Sequence, residues 1–380
     1  MKGIGMLKII LIPALVLAIV CGFTASAAAR DGEYFFGITT KQVINVWEAL
    51  FQESFRWYCE DHGYRYTAME ARGDPSLQVT QARRLVDMGI DGLIIAAQEA
   101  RALRPAVEYA KQHGVPVVTT DADVDHEYVS IYIGFSGVRA GEALSEEIVK
   151  YLRDEVEPVG EVAGTVLELR GPIGGASADD RHDGFRNVME QYPDVRIIEV
   201  VADFRRGPAK TESERILLAH EVDAIYGANG PMAEGAVAAI EALGDDPADY
   251  FIATIDAMPS VIDAIGEGKI DVALDQPCPF YNPLGIYFLT LILEEGEEAL
   301  PEPGDIITTD DILIEGSERH GVDIWAHNEM WAPAIVTTTL TENPDRYEYD
   351  HLWLQTSGIL VTKENYDLES LWGNFELPGW

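Results

Sequence analysis

Short apolar runs alternate with longer amphipathic stretches along most of this chain, and that rhythm leaves few folds open. Tyr34 to Ile38 reads as a strand. Asn45 to Tyr58 reads as a helix, because Trp47, Phe51, Phe55 and Tyr58 fall at i, i+4, i+8 and i+11 on one face. A strand near Tyr64–Met69, a helix near Leu77–Met88, a strand at Gly92–Ala97, a helix near Leu103–His113 and a strand at Val115–Thr120 follow. The rhythm resumes with a strand at Val162–Leu169 and a helix at Ala178–Gln191. Val195–Val201, Ala224–Gly227, Phe251–Ile255 and Val272–Leu274 then read as strands with helices between. Such alternation implies parallel sheets covered by helices on both faces.

A weak internal repeat divides the chain. Asp91-Gly-Leu-Ile-Ile-Ala-Ala leads through a helix to Val117-Val-Thr-Thr-Asp121. Asp223-Ala-Ile-Tyr-Gly-Ala-Asn leads through a helix to Ile252-Ala-Thr-Ile-Asp256. Each unit is strand, helix, strand, then Asp. Two such units predict an α/β protein of two doubly wound, Rossmann-like lobes. Both Asp residues then fall at carboxyl ends of parallel strands, where open α/β sheets bind ligands. Either one alone also fits a cap on the next helix or turn.

The 380 residues are 47% hydrophobic, enough for one large domain or two ordinary ones, each with its own core. The formal net charge of -38 repels phosphate backbones, so nucleic acid is not an expected partner. The first 29 residues are of another kind. Lys2 and Lys8 give a basic start, Ile9 to Phe23 is almost wholly apolar, and Ala25-Ser26-Ala27 and Ala27-Ala28-Ala29 fit a small-x-small cleavage site. Residues 1–29 are read as a signal peptide and the protein as exported, hence periplasmic or extracytoplasmic. Cys21 raises a lipid anchor, but Val20 before it fits a lipidation box poorly. Cys59 and Cys278 are then the remaining cysteines, read as two buried free thiols.

No nucleophile elbow, Walker loop, HExxH or CxxC is present, and the His spacing suits no metal, so neither enzyme chemistry nor a cofactor is expected. Gly171-Pro-Ile-Gly-Gly175 lacks a Walker lysine and reads as a tight turn that brings backbone near a ligand. Asp121-x-Asp123-x-Asp125 has His126 and Tyr132 where a calcium loop needs Gly and Glu, and reads as a solvated acidic loop. Polar and aromatic residues do gather at strand–helix junctions: Asn45, Trp47, Asp121, Arg181, Phe204, Asn229, Asp256 and Gln276. Carboxylates accept hydroxyl hydrogens, Arg and the amides add donors, and aromatic rings cover the apolar C–H faces of a sugar. The mixture suits a polyhydroxylated ligand held between Trp47 and Phe204.

At these residues the chain resembles the type I periplasmic binding proteins, in their ribose-binding-like sugar branch. The stretches that carry the resemblance are Asp91 to Asp121, Gly171 to Phe185 with Arg181-His-Asp-Gly-Phe185, Ala202-Asp-Phe204, Ala228-Asn229, Asp256 and Gly266-Glu-Gly-Lys-Ile270. Ile359-Leu-Val-Thr-Lys-Glu-Asn365 also looks like the family's ending. The resemblance implies two lobes closing on a ligand, a hinge crossed three times, and an ABC importer whose permease takes a monosaccharide or polyol from a monomeric binding protein. By position it puts Asn45, Trp47 and Asp121 on the first lobe, Arg181, Phe204, Asn229 and Asp256 on the second, and Gln276 at a hinge crossing. Ala122, Ala96 and Ile255 stand where ribose binders carry Arg, Asn and Phe, which points away from ribose itself. Lobe one is expected over 30–134 plus 277–305, and lobe two over 135–276 plus 306–380. The tail from Gly316, with Trp325, Trp331, Trp353, Trp372 and Trp380, is expected to wrap a lobe and bury its rings. A second functional reading is an exported sensor subunit that presents a bound sugar to a membrane receptor.

Overall fold

The computed structural model describes residues 34–156 and 159–375. The expected signal peptide, Cys21 and Trp380 lie outside them. In chain order the elements are β1 (Phe35–Thr40), α1 (Val46–Asp61), β2 (Arg65–Glu70), α2 (Pro75–Asp87), β3 (Gly92–Ile95), α3 (Arg104–Gln112), β4 (Val117–Thr120) and β5 (Val129–Gly134). Next come α4 (Gly137–Glu155), β6 (Gly164–Arg170), α5 (Ala176–Met189), β7 (Val195–Val201), α6 (Arg206–Leu217), β8 (Ala224–Gly227), α7 (Gly230–Leu243), β9 (Phe251–Ile255), α8 (Pro259–Glu267) and β10 (Val272–Asp275). The last part holds α9 (Tyr281–Glu295), β11 (Ile306–Ile307), β12 (Ala334–Thr338), α10 (Thr339–Glu342), β13 (Leu352–Gln355) and β14 (Ile359–Thr362).

The strands form two sheets, one per lobe, ordered β11-β12-β13-β5-β4-β3-β1-β2 and β14-β10-β9-β8-β6-β7. Pairing is parallel except where β11 meets β12, β12 meets β13, and β10 meets β14. β3 and β4 are buried throughout, as strands covered on both faces must be, which is why they read as apolar runs. The chain passes between the lobes after β5, after β10 and after β13; α9 then packs on β3, β4 and β5 of the first sheet.

Local chemistry sets the helix ends that face the interlobe cleft. Asn45 caps α1, its Oδ1 accepting from the Trp47 and Glu48 amides at 2.9 and 3.2 Å. Asn229 caps α7 in the same way, accepting from the Met232 amide at 3.2 Å. In each sheet the connections diverge to opposite sides, at β1/β3 and at β6/β8, and residues that follow β1, β6 and β8 line one interlobe cleft.

Two expectations need correction. The tail was expected on lobe two from residue 306, but β11, β12 and β13 belong to the first sheet and only β14 joins the second. The reason is an edge. β5 would otherwise expose its unpaired backbone, and β13 pairs with it over Leu352–Gln355. Trp325, Trp331, Trp353 and Trp372 are all buried. Trp325 meets Tyr58 and Phe280 edge-on, and the Trp353 indole donates to the Gly134 carbonyl at 2.9 Å. The acidic loop is also not solvated, because Asp123 and Asp125 are each 1% exposed. Thr119 and His351 engage Asp123, while Arg104 and the Glu348 and Tyr349 amides engage Asp125. Buried carboxylates need such partners, and the tail supplies three of these five.

Candidate ligand-binding cleft

All eight residues singled out from the sequence line one interlobe cavity of about 50 Å³, together with Lys41, Glu48 and Ser177. Lobe one contributes its side from the β1–α1 junction and from the end of β4. Trp47 opens α1 with one ring face stacked on Phe51, centroids 5.3 Å apart and planes within 13°. Its side chain is therefore at once core and cleft wall, and its Nε1 is buried without a hydrogen-bonding partner. The Trp47 carbonyl accepts from the Cys278 thiol at 3.3 Å, and both Cys278 and Cys59 are buried free thiols.

Asp121 follows β4 in a left-handed conformation, φ 62°, which costs a non-glycine residue energy and here turns the chain at the cleft. Its carboxylate pairs with Lys41 at 2.6 Å. Beside this pair, Glu48 Oε2 is buried with no hydrogen-bonding partner. Burial pushes the Glu48 carboxyl up to about 7, against the opposing pull of Lys41.

Lobe two contributes the loops after β6 to β10. Arg181 on α5 is 5% exposed, donates from Nη1 to the Ala228 carbonyl at 2.7 Å, and leaves Nε unpartnered. Its guanidinium lies 5.5 Å from the ring centres of both Phe135 and Phe204. Phe204, at φ 59°, is the reason for one residue of the glycine turn. A Cβ on Gly171 would stand 2.5 Å from the Phe204 ring.

Asp256 lies at φ 75° and caps nothing, since α8 begins after Met258. Its carboxylate accepts from Gln276 Nε2 at 2.5 Å and faces Arg181 at 3.8 Å. Burial raises its proton affinity above the ordinary carboxylate range, opposed by Arg181 and by the Gln276 amide. Gln276 is held in turn by the Tyr281 hydroxyl at 3.0 Å.

The cleft thus holds three carboxylates and two cations. Lys41 and Glu48 escape a reading of the sequence because a charged residue in a turn or a helix's first turn ordinarily faces solvent; adjacency to Trp47 at a strand–helix junction is the signal for Glu48. A second cluster, Glu168, His182 and Glu199, has metal-ligand spacing among the described residues. Arg170 and Arg186 already neutralise it, with Arg170–Glu199 at 2.9 Å and Arg186–Glu199 at 2.7 Å, so it reads as an ion-pair network.

Fold and cleft together define a two-lobed solute-binding protein. Residues 36–298 match the periplasmic binding protein domain family, and the chain belongs to that family. It is similar to the ribose import binding protein of Bacillus subtilis, 26% identical over 252 residues, covering 66% of this chain and 79% of that protein. The galactofuranose-binding protein of Escherichia coli is 25% identical over 241 residues, covering 60% and 73%. Among solved structures, a galactofuranose-binding protein superposes with TM-score 0.69 at 18% identity, covering 89% of this chain and 97% of that one. The binding protein of the arabinose ABC transporter from Shewanella sp. ANA-3 gives 0.67 at 19%, covering 87% and 93%.

Proposed function

We propose that this protein is an exported, monomeric solute-binding protein that captures a monosaccharide or similar polyol between its lobes and delivers it to an ABC importer. The observation that carries the reading is a set of buried, unspent polar atoms around one cavity: Trp47 Nε1, Glu48 Oε2 and Arg181 Nε. Buried donors and acceptors without partners are costly, and a ligand rich in hydroxyls satisfies both kinds at once. Trp47 stacks on Phe51 and Phe204 lies against Arg181, and in this reading their remaining faces meet the apolar faces of a sugar ring. Asp121, Asp256, Asn45, Asn229 and Gln276 then meet the hydroxyl rim.

A cavity of about 50 Å³ is far below the ~300 Å³ at which ordinary ligand pockets begin, so entry requires the lobes to part. The similar proteins include binders of ribose and galactofuranose, which supports a sugar as the ligand class. The test is a thermal-shift screen of the purified protein against pentoses, hexoses, inositols and sugar acids. A true ligand raises the midpoint, and Asp256→Ala should abolish that rise. A ligand whose shift survives both Asp256→Ala and Trp47→Ala would place the site elsewhere.

A further inference from the structure

The segment between β12 and β13 is bolted to lobe one. The Glu348 and Tyr349 amides donate to Asp125 Oδ1 at 2.9 and 3.0 Å. His351 Nε2 lies 2.8 Å from Asp123 Oδ2, and Arg101 Nη2 donates to the Arg346 carbonyl at 3.2 Å. Asp123 and Asp125 stand in the loop that starts at the cleft residue Asp121.

From this base the Arg346 side chain leaves lobe one and meets α5 of lobe two. Nη1 donates to the Ala176 carbonyl at 2.8 Å and also to the Asp180 carboxylate. Nη2 donates to Asp183 Oδ2 at 2.7 Å. A second contact runs the same way: Glu342, held by the Thr337 hydroxyl at 3.1 Å, accepts from Arg139 of α4 at 3.1 Å. Helix α5 also carries Ser177 and Arg181, which line the cleft, whereas Arg346 and Glu342 do not.

We propose that this segment is an interlobe latch, in which Arg346, carried on lobe one, clasps α5 of lobe two and holds the cleft closed from outside the ligand cavity. The proposal rests on the reading that the lobes open and close. Parting them draws α5 away from a base fixed to the first sheet. The Arg346 side-chain contacts to α5 then break together, and the largely buried Asp180 loses its cation. Because ligand enters and leaves only while the lobes are parted, a residue that never touches it sets how often the cavity opens. Arg346 is thus a positioning residue for capture.

The test uses the chain from Arg30 onward, which lacks Cys21, with spin labels at Met88→Cys on lobe one and Leu218→Cys on lobe two, both exposed, in buffer without any sugar. The native Cys59 and Cys278 are buried and remain in place. Pulsed dipolar spectroscopy should show a dominant short interlobe distance in the parent. Arg346→Ala should raise the open-to-closed ratio about tenfold, as expected for losing hydrogen bonds to charged groups. Should Arg346→Ala fold poorly, Asp180→Asn with Asp183→Asn removes the clasp from the other lobe and should do the same. Arg346→Asp with Asp180→Asn and Asp183→Arg should shift the ratio back toward closure, which a merely structural role would not. Distance distributions unchanged in both disrupting variants, or a swap that restores nothing, would overturn the latch. No sugar enters this measurement, so a failed ligand screen would refute the proposed function and leave this result standing.

Discussion

Glu48→Gln isolates the electrostatics of the cleft in a single substitution. The unfolded chain releases the Glu48 proton near the ordinary 4.5, and the folded chain holds it to about 7. Between these values the folded state binds more protons than the unfolded one. The contribution to stability is therefore full below the lower value and is lost as pH rises through the higher one. Each pH unit of that gap is worth about 1.4 kcal/mol, so wild type should lose roughly 2–3 kcal/mol between about pH 5 and about pH 8.5 that Glu48→Gln does not lose. Asp180, pushed by burial up to about 6, and Asp256, raised by burial, add slopes of the same sign. They are common to both proteins and cancel in the difference. Urea unfolding at the two pH values measures it. Opening of the lobes also rehydrates Glu48, in which case the same linkage appears as an expansion of wild type at the higher pH, visible by small-angle scattering. Wild type and variant that run parallel in both measurements would refute the burial argument.

Asp256→Asn should abolish ligand binding by calorimetry while the melting temperature at neutral pH holds or rises, because a buried carboxylate is replaced by a neutral isostere. Trp47→Ala should remove binding and also destabilise the protein by about 3–5 kcal/mol in denaturant, since the ring is 6% exposed and stacked on Phe51. Gly171→Ala should weaken binding with little loss of secondary structure by circular dichroism, since its Cβ, 2.5 Å from the Phe204 ring, forces that ring to move. Intact-mass analysis of the exported protein should find the chain cut after Ala27 or Ala29; a chain starting at a lipidated Cys21 would contradict this.

The doubly wound core was legible because its signal is local. Gly92–Ile95 and Val117–Thr120 are apolar runs flanked by amphipathic helices, and each is buried along its length. β5 gave no such signal, because it follows β4 through an acidic loop with no helix between. β12 and β13 were illegible for a deeper reason. Ala334–Thr338 and Leu352–Gln355 are strands by virtue of pairing that traces back to Ile131–Gly134, more than 200 residues earlier. The lining of the candidate cleft was readable where residue type and junction coincided, as at Asp121, Asn229 and Asp256. Glu48 and Lys41 were hidden because their importance depends on the opposite lobe, which buries charges that the local sequence presents as solvated. The partners of Asp123 and Asp125 were hidden likewise, since His351 and the Tyr349 amide come from the far end of the chain.

Asp121, Phe204 and Asp256 are three of the six non-glycine residues with positive φ among those described, and all three line the cleft. An ordinary residue held there costs of order 1 kcal/mol or more, met by the rest of the fold before any ligand arrives. Under the proposed function the ligand meets backbones already held in place and need not order them on binding. The same economy exposes the protein to drift. Glycine at any of these positions relaxes the backbone locally, yet deletes a carboxylate or a ring from the site. Selection for heat resistance alone would thus push these positions away from the residues proposed to recognise a ligand.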